Sequence, residues 1–109
     1  MRDPELTVLV TVYDKISPAH LRASLASIHS QTVQPADIVV VEDGPLPAAL
    51  RAVLDSSPDL RRFSLPRNLG ASAASQRGLE EVRTRWLARQ DADDISLPHR
   101  FERQLDRAR

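Results

Sequence analysis

Three carboxylates fall within four residues near the end of the sequence, at Asp91, Asp93 and Asp94. Alternate side chains of an extended segment point to the same side, so Asp91 and Asp93 are predicted to face one ligand, while Asp94 caps the next helix. Hard oxygen ligands suit Mg²⁺ or Mn²⁺, especially where diphosphate oxygens complete the coordination shell. A solvated acidic loop is the alternative, and a short motif by itself favours it. The position of this motif at a predicted strand end favours the metal site.

A further carboxylate, Asp43, follows three consecutive valines, so a buried strand would deliver it to the edge of a sheet. There it can accept a hydrogen bond from the imide N–H of a uracil or thymine ring. An Asx-type turn with Gly44 explains the residue equally well, because Asp-Gly is a common turn pair. Glu42 is expected to be structural, since neighbouring residues on a strand point to opposite faces.

Two other short segments could contact a nucleotide. Tyr13 lies where the first predicted strand ends, and stacking on a base or simple hydrophobic cover are equally good interpretations. Asn68 and Gly70 precede a predicted helix, whose free N–H groups favour a phosphate. An ordinary helix cap is the commoner explanation for such residues. No histidine shows metal-ligand spacing, and no phosphate-binding loop or dinucleotide fingerprint is present.

Strands and helices must position these residues, and the hydrophobic pattern predicts four of each in alternation. The predicted strands are Leu6 to Val12, Ile38 to Val41, Leu60 to Leu65 and Arg85 to Gln90. The predicted helices run from Pro18, after the N-cap Ser17, to about Ser30, from Leu46 to Asp55, onward from Asn68-Leu69-Gly70, and onward from Ser96 and Pro98. The inner face of the third helix is predicted to carry Leu69, Ala73, Leu79 and Val82, and that of the fourth Phe101 and Leu105.

The alternation of strands and helices predicts an α/β protein with three layers, α/β/α, around a mostly parallel, Rossmann-like sheet. In such sheets ligands bind beyond the carboxyl ends of the strands, where the strand order reverses. This rule selects Thr11 to Lys15, Glu42 to Gly44 and Asp91 to Asp94, which hold the candidate residues. We therefore expect the candidate residues to meet at one edge of the sheet.

Composition excludes several classes of protein. The 109 residues suit one domain, and a formal net charge of zero predicts no nucleic-acid partner. The absence of cysteine excludes a disulfide scaffold and a cysteine-ligated zinc site. No apolar run approaches the ~20 residues of a membrane span, and the first residues do not resemble a signal peptide. The expected location is the cytoplasm, including the inner face of the membrane.

The sequence resembles the inverting family 2 glycosyltransferases with the GT-A fold, through five segments in the family's order. They are Val8 to Tyr13, the S-I-x-x-Q-T match at Ser27 to Thr32, Ile38 to Gly44, Arg67 to Gly70, and Asp91 to Gln104. The stretch from Asp91 to Arg100 is particularly close to members that build polysaccharides. Two departures are Glu42, which replaces the first Asp of that family's strand, and Gln76, where the family often carries Asn.

The resemblance implies which residues bind. Asp43 would bind the base, Asp91 the ribose or the metal, and Asp93 the metal, Mg²⁺ or Mn²⁺. The expected nucleotide-sugar site as a whole consists of Thr11, Val12, Tyr13, Asp43, Asn68, Gly70, Asp91 and Ala92.

The resemblance also implies an activity. Residues 1–109 would be the nucleotide-sugar-binding half of an enzyme that transfers sugar from a UDP- or dTDP-sugar to a hydroxyl with inversion. The acceptor would be a carbohydrate or glycolipid, in polysaccharide or glycoconjugate synthesis. The family's catalytic base is an acidic residue of a later segment, so we expect it beyond Arg109 and assign none here.

A binding module without turnover is the alternative, and a phosphoacceptor domain is disfavoured because no acidic pair follows the first strand. An exposed sheet edge predicts self-association.

Overall fold

The computed structural model describes residues 1–109, along which four strands alternate with four helices. The strands are β1 (Arg2–Val12), β2 (Gln34–Glu42), β3 (Leu60–Ser64) and β4 (Trp86–Asp91). The helices are α1 (Pro18–His29), α2 (Ala48–Asp55), α3 (Ala71–Leu79) and α4 (Arg100–Ala108). All eight predicted elements are present in the predicted order. The first two strands each begin four residues before their predicted start.

The four strands form one parallel sheet in the order β3-β2-β1-β4. The chain builds outward from β1 through β2 to β3, and then returns to place β4 on the other side of β1. The strand order therefore reverses between β1 and β4, which is where ligands bind in such sheets. Thr11 pairs with Val41 on one side and with Asp91 on the other, so three candidate segments meet at this edge.

Helices cover both faces of the sheet, as the sequence predicts. Alternate residues of β1 point to opposite faces, so Val8 and Val10 join a core of 18 buried residues that also includes side chains from α1, α2 and α4. Leu9 points to the other face and packs with Ala74 of α3. The α/β class and the three layers are confirmed, and the sheet is parallel throughout.

The predicted inner face of α3 is wrong. Leu69 and Leu79 are 46% and 45% exposed, whereas Ala74, Ser75 and Gly78 are buried. The reason is close packing, because a Cβ on Gly78 would stand 2.3 Å from a methyl carbon of Leu9. Only small side chains fit between this helix and the sheet, so the leucines turn outward.

The predicted start of the last helix is also wrong. Helix α4 begins at Arg100, and the residues before it form an irregular segment in which Ser96 is buried. The apolar side of α4 is as predicted, since Phe101 and Leu105 are both buried in the main core. None of the four helices has the length and hydrophobicity needed to cross a membrane.

Candidate functional site

A cleft of about 270 Å³ opens at the carboxyl ends of β1 and β2. It is lined by the end of β1 and the residue after it, the residue after β2, the turn before α3 and the first residue of α3, namely Thr11, Val12, Tyr13, Asp43, Asn68, Gly70 and Ala71. Six of the eight residues predicted to contact a nucleotide sugar therefore lie around one cavity. Ala71 was not predicted, and its small side chain at a helix start gives no signal in the sequence.

Asp43 is buried and organises the turn before α3. Its two carboxylate oxygens accept hydrogen bonds from the backbone N–H groups of Leu69, at 2.8 Å, and Gly70, at 3.1 Å. The Asx-type turn with Gly44 is not formed, because the N–H that it needs belongs to the residue two positions after Asp43, which is Pro45 and has no N–H. The Gly44 N–H donates to the carbonyl of Glu42 at 3.0 Å. A carboxylate has about four acceptor positions, so Asp43 can accept a further hydrogen bond from a ligand.

Gly44 is a residue whose role the sequence did not reveal. Its φ of +91° is in the region that favours glycine, and a Cβ there would stand 2.5 Å from the backbone nitrogen of Asn68. The turn at Arg67-Asn68 packs directly against this position. The two residues therefore have different roles. Asp43 accepts hydrogen bonds from the turn before α3, and Gly44 has no side chain that would collide with that turn.

Tyr13 and Val12 take different positions around the cleft. The side chain of Tyr13 is 42% exposed, which leaves its ring accessible to a ligand. Val12 is buried in the main core, and its carbonyl accepts a hydrogen bond from the Asp43 N–H at 2.7 Å. Any contact between Val12 and a ligand would thus involve its backbone. Glu42 is structural as expected, and pairs with Arg62 at 3.2 Å.

The carboxylates of Asp91, Asp93 and Asp94 have oxygens that all lie within 4.8 Å of one another, and all three are exposed. The segment is a turn rather than extended, because the Asp94 N–H donates to the carbonyl of Asp91 at 3.0 Å. The predicted geometry was therefore wrong, and so was the cap, since His99 occupies the N-cap of α4. The turn gathers three carboxylates instead of two. Three hard oxygen donors at this spacing fit Mg²⁺ or Mn²⁺.

The acidic turn and the cleft are neighbours on the sheet. Asp91 does not line the cleft, but it pairs across the sheet with Thr11, one strand spacing of about 4.8 Å away. Ala92 is buried in the main core, so its side chain points away from the carboxylates. The predicted site is thus two adjoining parts, a cleft beside Asp43 and an acidic turn at the end of β4.

A larger cavity of about 700 Å³ adjoins the acidic turn at Asp94 and runs along α4. It is lined by four arginines, Arg89, Arg100, Arg103 and Arg107, none of which forms an ion pair. Burial lowers the pKa of the Arg100 guanidinium, and the charge of Asp94 opposes that shift. This concentration of positive charge was not predicted, because it needs residues from β4 and α4 to meet.

The histidines lie outside both parts of the site. His20 and His29 are exposed on α1 as predicted, and His29 contacts Asp59 at 2.9 Å. His99 is exposed at the start of α4 and lies 3.8 Å from Glu102.

The sequence profile of the family described as "Glycosyl transferase family 2" matches residues 7–109. The amylovoran biosynthesis glycosyltransferase AmsE of Erwinia amylovora is 40% identical over 102 residues, which cover 91% of this chain and 38% of that protein. The UDP-Gal:alpha-D-GlcNAc-diphosphoundecaprenol beta-1,3-galactosyltransferase of Escherichia coli is 36% identical over 106 residues, which cover 94% and 38%. The chain thus spans well under half the length of these relatives.

Solved structures share the fold at low sequence identity. S. aureus TarS 1-349 in complex with UDP matches with a TM-score of 0.77 and 19% identity, over 94% of this chain and 31% of that one. The mannosyltransferase PcManGT from Pyrobaculum calidifontis, in complex with GDP-Man and Mn2+, matches with a TM-score of 0.68 and 22% identity, over 84% and 28%. At these identities the likeness establishes a shared fold.

Proposed function

We propose that this chain, which belongs to glycosyl transferase family 2, binds a UDP- or dTDP-sugar at the edge formed by β2, β1 and β4. The observation that carries the proposal is the juxtaposition of the cleft around Asp43 with the three carboxylates of the acidic turn. Asp43 follows β2 and Asp91 ends β4, so the two residues lie on either side of β1, about 10 Å apart at the usual strand spacing. A base would lie at one end of this span and a diphosphate at the other.

The base end of the site would select a pyrimidine with an imide N–H. Asp43 is held by two backbone N–H groups and keeps room to accept one more hydrogen bond. Tyr13, with its accessible ring, lies on the same cleft. UDP in a structure of the same fold supports this assignment.

The diphosphate end would hold a divalent cation through Asp91, Asp93 and Asp94. Bound there, the cation would act as a Lewis acid that neutralises the departing diphosphate. The carboxylates themselves would fix where the diphosphate lies relative to Thr11, because Asp91 pairs with that residue in the sheet. The Mn2+ in the mannosyltransferase structure supports the choice of Mg²⁺ or Mn²⁺.

The activity that this site would serve is transfer of the sugar to a hydroxyl with inversion. The acceptor would be a carbohydrate or glycolipid, which agrees with the names of the amylovoran enzyme and the galactosyltransferase. No residue described above is assigned as the base that deprotonates the acceptor.

Calorimetry with three nucleoside diphosphates tests the proposal. UDP and dTDP should bind in the presence of Mn²⁺ and lose affinity when a chelator is added. CDP carries the same diphosphate but offers an acceptor where uracil has its imide N–H, so it should bind roughly 10- to 100-fold more weakly. Equal binding of UDP and CDP would refute the role of Asp43. Equal binding of UDP with and without chelator would refute the cation site.

A product assay separates the enzyme from a binding module without turnover. Release of UDP from a UDP-sugar that depends on an added acceptor sugar indicates transfer. Donor binding without such release indicates the binding module.

A further inference from the structure

The S-I-x-x-Q-T sequence at the end of α1 takes no part in the cleft or the acidic turn, yet it contains two buried polar side chains, Ser27 and Gln31. The side-chain NH₂ of Gln31 donates to the carbonyl of Leu97 at 2.6 Å, and its side-chain oxygen accepts from the N–H of Phe101 at 3.1 Å. One amide therefore satisfies backbone groups on both sides of the bend that leads into α4.

Neighbouring residues of the same motif extend this attachment. The N–H of Thr32 donates to the carbonyl of Pro98 at 2.9 Å, and the hydroxyl oxygen of Ser27 accepts from the N–H of Ser96 at 3.0 Å. The segment between β4 and α4 has no regular secondary structure to satisfy its backbone groups. Side chains and backbone from the end of α1 supply those hydrogen bonds instead.

The side chain of Gln90 connects the acidic turn to α1. Its buried amide lies on the opposite face of β4 from Asp91, with its NH₂ 3.0 Å from the carbonyl of Ser24 in α1 and 3.3 Å from that of Asp94. Its side-chain oxygen accepts from the hydroxyl of Ser96 at 2.5 Å. The chain from Asp91 to Ser96 is thus attached to α1 at both ends.

We propose that Gln31 is a positioning residue for the acidic turn, acting through the backbone of Leu97 and Phe101. The inference rests on the proposed function, because it assigns this attachment to cation and diphosphate binding. Three exposed carboxylates within 4.8 Å repel one another, so a turn that carries them opens unless the chain on either side is held. The strand pairing of Asp91 holds one side, and Gln31 holds the other.

A matched pair of variants tests the proposal. Gln34 lies three residues after Gln31 and is the control position. Its NH₂ also donates to backbone carbonyls, but these belong to Ile28, His29 and Gln31 and not to the segment between β4 and α4. Gln31→Met and Gln34→Met each remove side-chain hydrogen bonds to the backbone near the end of α1, but only those of Gln31 reach the segment after the acidic turn.

Calorimetry at a temperature where both variants are fully folded by circular dichroism gives the first readout. We expect Gln31→Met to weaken Mn²⁺-dependent UDP binding about 10-fold, the usual effect of losing an indirect support of a metal site. Uridine, which needs only the cleft, should bind both variants within twofold of the unsubstituted chain. Unchanged UDP binding by Gln31→Met, or an equal loss in Gln34→Met, would overturn the proposal.

Hydrogen exchange gives a second readout that needs no ligand. The N–H groups of Asp94 and Ser96 should exchange faster in Gln31→Met than in Gln34→Met. If the unsubstituted chain fails to bind UDP with Mn²⁺, the proposed function fails, and the exchange result alone decides about the attachment. Equal exchange in the two variants overturns it.

Discussion

Asp94 bends the chain back onto Asp91 through two hydrogen bonds. Its N–H donates to the Asp91 carbonyl at 3.0 Å, and its Oδ2 accepts from the Asp91 N–H at 3.3 Å. The Asp94 side chain is exposed, and one of its carboxylate oxygens lies within 4.8 Å of oxygens of Asp91 and Asp93. Asp94 therefore both shapes the turn and offers the candidate cation site a ligand.

This dual role predicts how single substitutions affect cation binding. Asp93→Asn and Asp94→Asn should each weaken Mn²⁺-dependent UDP binding by at least about 10-fold, because each removes a charged oxygen ligand. Asp106→Asn, at an exposed position of α4 outside the cluster, is the control and should bind within twofold of the unsubstituted chain. Calorimetry measures all three. An Asp94→Asn variant that behaves like the control would exclude that carboxylate from the site.

The sequence predicted which residues stand at the strand ends, but not how their side chains are held. Thr11 and Asp43 were placed correctly because valine-rich patterns fix where β1 and β2 stop. Asp91 was placed correctly because the predicted fourth strand, which has no valine, runs directly into the acidic residues. The bonds from Asp43 to the turn at Leu69 and Gly70 join residues 26 and 27 positions apart. Such contacts depend on how α3 packs against the sheet, and the hydrophobic periodicity of the sequence does not predict that packing.

Helix α3 illustrates how an element can be predicted while its orientation is not. A hydrophobic pattern assumes that the largest apolar side chains face the core. Here the helix approaches the sheet so closely that Gly78 packs on Leu9, and Leu79 faces solvent. The close approach matters to the site, because the start of α3 supplies Ala71 to the cleft and the turn that precedes it supplies Gly70.

Gly78→Ala should destabilise the chain. The added methyl would stand 2.3 Å from a methyl carbon of the buried Leu9, so one of the two elements must shift, at a cost of about 1–3 kcal/mol. The better helix propensity of alanine offsets up to about 1 kcal/mol of this. Urea unfolding measures the difference, with Ser72→Ala at an exposed position of α3 as the control for propensity. A Gly78→Ala chain more stable than the unsubstituted one would contradict the close packing.

At the scale of the whole molecule, an ion pair joins the first strand to the last residue. Asp3 is buried and accepts hydrogen bonds from the N–H of Glu5 at 2.9 Å and from the guanidinium of Arg109 at 2.6 Å. The pKa of Asp3 is lowered from its ordinary value of 3.8, mainly by the hydrogen bond from the Glu5 N–H and also by Arg109. Burial acts in the opposite direction and raises the pKa. Arg109 also contacts Glu5 at 3.4 Å.

This lowered pKa predicts a dependence of stability on acid. The stabilisation from ionised Asp3 is complete above the ordinary pKa of 3.8 that applies to the unfolded chain, and is lost as pH falls through the lower pKa of the folded chain. Asp3→Asn should therefore be less stable at pH 7 and lose less stability below about pH 4. Urea unfolding from pH 7 to pH 2 measures both effects, with Asp14→Asn at an exposed position as the control. Parallel acid dependence in Asp3→Asn and the unsubstituted chain would refute the role of Asp3.

The two outer strands differ in how their edges are protected. Arg61 and Arg62 of β3 pair with Asp37 and Glu42, and such charged side chains discourage pairing with another sheet. Strand β4 has β1 as its one neighbour, and its outer side adjoins the arginine-lined cavity. Self-association through an exposed sheet edge stays a prediction.

The pairing of the last strand with the first has a consequence for synthesis. All residues that line the cleft lie between Thr11 and Ala71, so they are synthesised before the acidic turn. At about 5–20 residues per second, the roughly 20 residues from Ala71 to Asp91 take about 1–4 s to follow. A nascent chain in that interval has the parts of the cleft around Asp43 and lacks the acidic turn. On the proposed function, affinity for Mn²⁺ would therefore appear only after β4 and the turn that follows it have been made.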